Sequence, residues 1–90
     1  MGVSEQDPRP EELAYLRRVE ALLDRYEAIL GSEALKHSRD LIEHGEPPIG
    51  LNFLAWELDK SDHHVSEAEK AEIRELMTPD EVPHLPDAWK

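Results

Sequence analysis

Glu33, His37, Asp40 and His44 are the residues whose types and spacing most resemble chemistry. Offsets of 4, 7 and 11 put two imidazoles and two carboxylates on one side of a helix. Imidazole with carboxylate is a legitimate donor set for zinc and related cations. A single helix spreads these four over about three turns, too far to surround one ion. His63-His64 is the only other segment that could complete a shell. The spacing equally describes His–carboxylate neighbours on a solvated face, and no metal is expected.

Other reaction centres fail at defined positions. Asp59-Lys60-Ser61-Asp62 resembles the start of a calcium loop, but its sixth position is His64 in place of glycine. Its twelfth is Lys70, where a bidentate glutamate belongs. Serine, histidine and aspartate are all present without a Gly-x-Ser-x-Gly elbow. The glycines stand singly at Gly2, Gly31, Gly45 and Gly50, so no loop cradles a phosphate. With no cysteine there is no thiolate ligand, thiol nucleophile or disulfide. The chain is expected to be no enzyme and to need no cofactor.

Ninety residues allow one domain. The formal net charge is −11, a field that repels nucleic acid and anionic membranes and suits a basic protein. Residues 1–30 hold 7 acids and 4 bases, 31–60 hold 6 and 3, and 61–90 hold 8 and 3. The imbalance is therefore carried by the folded surface and not by an acidic tail. Glu43, Glu46, Glu57, Asp59, Asp62 and Glu67 form the sharpest candidate patch, gathered around the ends of the second and third helices and the start of the fourth. Met1–Asp7 lacks the apolar core of a secretory leader, and Gln6 stands where myristoylation requires serine or threonine. No apolar run approaches the roughly 18–20 residues of a membrane span. A cytoplasmic protein is expected.

Four helices must position these groups. Residues 1–9 read as a flexible arm ending where Pro10 suits a first helical turn. From Glu11 to Leu30, Tyr15, Val19, Leu22, Tyr26 and Ile29 follow a 4-3-4-3 spacing, with Leu16, Leu23 and Leu30 beside them. Gly31 is a stop able to take a left-handed conformation. Ser32 can cap a second helix running to His44, with Ala34, Leu35, Ser38, Leu41 and Ile42 inward and Gly45 as its stop. A third helix spans about Pro48 to Lys60. It has two apolar faces, Leu51, Leu54, Ala55 and Leu58 on one and Ile49, Phe53 and Trp56 on the other. Such a helix is central to a bundle or shared with a partner. Ser66-Glu67-Ala68-Glu69 is a capping box for a fourth helix ending near Met77. The tail, 79–90, carries Pro79, Pro83 and Pro86 between Val82, Leu85 and Trp89. It is expected to be extended, with its apolar residues able to dock back. The fold class is all-α, a small four-helix bundle over 10–78 with an extended proline-containing tail. Trp56 is expected either in the core or as an anchor for a partner, and Trp89 as a loosely docked staple.

Residues 41–77 carry a resemblance. Ile42-Glu43-His44-Gly45-Glu46-Pro47, the leucines Leu51, Leu54 and Leu58, and Val65-Ser66-Glu67-Ala68-Glu69 follow a familiar order. The stretch resembles the small helical immunity proteins of contact-dependent growth inhibition and Maf-type toxin systems. Their pattern is an I-x-H-G-E-P turn, a leucine-rich helix and an I-S-E-x-E helix start. Glu43, His44, Glu46, Ser66, Glu67 and Glu69 are the motif positions. The resemblance implies a cytoplasmic protein that binds and neutralises one toxin domain, commonly a nuclease. A nuclease presents a positive cleft that an acidic protein can occupy, so the charge leads to a compatible partner. Glu46, Asn52, Trp56, Glu57, Asp59 and Asp62 are the expected contact residues. The alternative is a helical adaptor that self-associates through the first or third helix.

Overall fold

The computed structural model describes residues 9–90. Four helices, α1 (Pro10–Leu30), α2 (Lys36–Glu43), α3 (Pro47–Lys60) and α4 (Glu67–Glu75), are followed by 3-10 turns at Val82–His84 and Asp87–Trp89. No strand occurs among the described residues, so the all-α expectation holds. The expected arm, 1–9, lies outside the described residues except for Arg9. Among the described residues no helix is long and apolar enough to cross a membrane.

Pro10 opens α1 because its fixed φ suits a first turn and its missing N–H removes an orphan donor. The helix buries Val19, Leu22, Leu23 and Tyr26. Tyr15 and Leu30 pack partly against the same core. Ile29, expected inward, is 46% exposed. It lies about 60° round the helix from Tyr26, in the last turn, where the margin of the apolar arc escapes cover. Gly31 ends α1 at φ 94 and ψ 159, a positive φ with extended ψ in place of the left-handed pair.

The second element is shorter than its pattern. Residues 32–35 form turns, closed by Leu35 N–H to Ser32 O at 3.2 Å, and regular helix begins at Lys36. Ser32 therefore is not its cap. The exit does follow the sequence. Glu46 N–H donates to Leu41 O at 2.8 Å and Gly45 N–H to Ile42 O at 3.2 Å, with Gly45 at φ 83. That pair of bonds is the Schellman ending, and it turns α2 directly into α3. Gly50 then lets the two helices meet backbone to backbone. A Cβ there would lie 2.8 Å from Ser38 O and 2.9 Å from Ile42 Cγ1.

Ser66 caps α4 in the expected reciprocal box. Glu69 N–H donates to Ser66 Oγ at 3.1 Å, and Ser66 N–H to Glu69 Oε1 at 2.9 Å. Tyr15 Oη donates to Leu76 O at 2.6 Å and Tyr26 Oη to Glu69 Oε2 at 2.8 Å, fastening α1 to α4. The tail docks, as its apolar residues allow, but it is not extended. Pro83 sets a φ that suits the first 3-10 turn, and the two turns drive Leu85 and Trp89 into the common core. Arg74 Nη1 donates to Trp89 O at 2.9 Å and Lys70 Nζ to Ala88 O at 3.3 Å. Residues 79–90 thus share one core with 10–78.

Candidate partner-binding surface

The imidazole–carboxylate set does not assemble. Glu33 sits in the turn before α2. His37 stacks on Phe53 with ring centroids 6.2 Å apart at 26°. His44 donates from Nδ1 to the Asp40 carbonyl at 2.7 Å, which raises the pKa of its imidazole. No group of three or more histidines and carboxylates is placed to hold a metal ion among the described residues.

What the fold does present is the outer side of α3. Leu51, Leu54, Ala55 and Leu58 face the core, so the side opposite must look outward. Phe53 is 46% and Trp56 47% exposed, and Ile49 is half-buried beside them. Trp56 is therefore not a core residue, and of the two places expected for it the structure gives the exposed one. The core is already filled from the other side of α3, and the tail reaches only the edge of its indole. There Trp56 Nε1 donates to His84 O at 2.9 Å. The ring stands between two grooves. One, of about 450 Å³, is lined by Ile49, Asn52, Phe53, Trp56, Glu57, Lys60, Glu81 and His84. The other, of about 510 Å³, lies between Trp56, Asp59 and the chain from Pro83 to Lys90.

The six expected contact residues divide accordingly. Trp56, Glu57 and Asp59 share this surface. Glu46 and Asp62 are exposed but flank the two ends of α3, separated by about 21 Å of helix. Asn52 is 6% exposed, because residue 81 covers it. Its Nδ2 donates to Glu81 O and to Glu81 Oε1, each at 3.2 Å. It holds the tail in place of meeting a partner directly. Glu81 and His84 were missed because they sit in the segment read as extended. The proline spacing in 79–90 was the available signal of compact turns.

Charge is unevenly spent. Arg39 gathers Glu20 at 3.1 Å, Asp24 at 2.7 Å and Glu27 at 2.8 Å, carboxylates at 4-3 spacing on α1. Those bonds raise the guanidinium pKa further. Arg25 meets Glu72 at 3.0 Å. In the candidate acidic patch, Glu57 pairs with Lys60 at 3.2 Å and Glu67 with Lys70 at 3.3 Å. Glu43, Glu46, Asp59 and Asp62 make no ion pair among the described residues. The unpaired four fall into two groups, Glu43 and Glu46 before α3 and Asp59 and Asp62 at its other end.

Deeper in, burial pushes the Tyr26 hydroxyl pKa far up, with its bond to Glu69 acting the same way. The Ser66 backbone N–H, then the Tyr26 hydroxyl, hold the Glu69 carboxyl below its usual range. These groups are inside a structural link and not in a cleft. Comparison with family models, curated proteins and solved structures finds no match for this chain.

Proposed function

We propose that this chain is a non-enzymatic binding protein of the immunity type. In this reading it neutralises a basic toxin domain, of the nuclease kind, by one-to-one association in the cytoplasm. The observation that supports the reading best is the exposed Ile49–Phe53–Trp56 face. Aromatic side chains held on a surface are the residues that dominate interface energies. Trp56 is fixed by its bond to His84 O, so little freedom remains to lose on binding. The net charge of −11 adds long-range attraction for a cationic partner and repulsion for nucleic acid.

The test is co-expression with the toxin domain encoded beside the gene for this chain. Relief of growth arrest, lost on Trp56→Ala, is the expected result. Unrelieved arrest, or a neighbouring gene that encodes no toxin, overturns the reading. The same exposed aromatics favour a second reading, a homodimer through α3. It brings together two strongly acidic surfaces, and sedimentation of the isolated chain separates the two: a tight dimer burying Trp56 would favour the adaptor.

A further inference from the structure

One carboxylate on the binding face is aimed without being paired. Glu81 is half-buried at the wall of the Phe53–Trp56 groove. The buried Asn52 amide grips both its main-chain oxygen and its Oε1 at 3.2 Å, fixing the side chain relative to α3. Lys60, which lines the same groove, is engaged by Glu57 at 3.2 Å. No base pairs with Glu81 among the described residues. Beside it stands the indole of Trp56, locked by His84 O, and below lie Phe53 and Ile49.

An oriented anion beside an exposed aromatic face, over apolar side chains, is complementary to one kind of group. The group has an apolar stem and a delocalised cation at its end. We propose that this groove receives an arginine side chain projecting from the basic partner. Its methylenes lie on Ile49 and Phe53, and its guanidinium meets the Trp56 ring and the Glu81 carboxylate. Arginine fits better than lysine because its planar, weakly hydrated head stacks on an aromatic ring while its N–H groups reach a carboxylate. The inference rests on the toxin-binding reading and assigns that partner its anchoring chemistry.

The experiment uses the full chain, labelled with ¹⁵N, and three blocked pentapeptides. Acetyl-Gly-Leu-Arg-Leu-Gly-amide is the probe, with its lysine and citrulline counterparts as controls. The arginine peptide should move the Trp56 indole N–H and Asn52 side-chain amide signals saturably, with a Kd on the order of millimolar. Citrulline, which keeps the shape but not the charge, should leave them still, and lysine should bind several-fold more weakly. Glu81→Gln, checked for unchanged helicity, should weaken the arginine peptide about tenfold, as expected for a lost charged hydrogen bond. Equal response to citrulline, equal response to lysine, or indifference to Glu81→Gln overturns the inference. So does the absence of saturable shifts. If the toxin domain still binds while the peptide fails, the arginine groove falls and the binding function stands. If neither binds, the functional reading falls with it.

Discussion

The two tryptophans exchange the roles their positions suggest. Trp56 lies mid-helix in an apolar stretch and is 47% exposed, whereas Trp89, one residue from the end of the chain, is 1% exposed. The difference lies in what arrives to cover each ring. Trp89 is carried inward by a 3-10 turn, its main chain tied to Arg74 and the preceding carbonyl to Lys70. Lys70 also sets its ammonium 5.9 Å from the Trp89 ring centroid. Trp56 meets only the edge of the same tail, through one hydrogen bond to His84. Neighbouring stretches of one segment therefore complete the core at one tryptophan and leave a surface at the other. A helix with two apolar faces needs only one of them for folding.

The sharpest way to break this contrast is to truncate each ring. Trp89→Ala should lower the unfolding free energy by about 3–5 kcal/mol, measured by denaturant titration. Trp56→Ala should lower it by less than about 1 kcal/mol, since the ring is half in water already. Similar losses for the two would erase the distinction.

The two sides of α3 provide the next contrast. Gly50→Ala puts a methyl group against Ser38 O and Ile42 and should destabilise by about 1–3 kcal/mol through overpacking. Phe53→Ala, on the outer side, should change the melting curve little. A neutral Gly50→Ala would mean that α2 and α3 can part without loss.

Charge reversal tests the outer side in solution. Glu57→Lys with Asp59→Lys should slow association with the toxin domain several-fold and flatten its salt dependence, with helicity unchanged by circular dichroism. Unaltered association kinetics would remove electrostatic steering from the proposed function.

The smallest expected effect is on pH dependence, and it belongs to the link between α1 and α4. Folding lowers the Glu69 pKa, so its contribution is present above the ordinary carboxylate value. That contribution fades as pH falls from about 4.5 through the lowered folded value. Glu69→Gln should flatten the stability profile in that acid window alone. A profile that keeps its slope would show that the Ser66 and Tyr26 bonds do not stabilise the ionised carboxylate.

Local chemistry made much of this legible. Pro10, Gly45, Pro47 and the Ser66–Glu69 box mark helix ends through the atoms next to them, and each acts as its residue type dictates. Ser32 shows the limit. A capping residue has no helix to cap when the following residues close 3-10-like turns instead. Periodicity likewise revealed two apolar faces on α3 without showing which one the rest of the chain would cover. Of the candidate contacts, Trp56 was legible as part of one of the two apolar faces, with Glu57 and Asp59 on polar strips to either side of it. Asn52 was not, because its burial depends on residue 81 returning across 29 positions of sequence.

The sequence by itself determined four helices, most of their ends and a net negative surface, because those follow from backbone sterics, orphan hydrogen bonds and side-chain charge. Only the tertiary structure decided that Arg39 would draw three carboxylates of α1 together, that Trp89 would close the core and that Trp56 would remain outside. Those outcomes depend on which surfaces meet when distant segments compete for the same apolar area, and no spacing within a single helix encodes that competition.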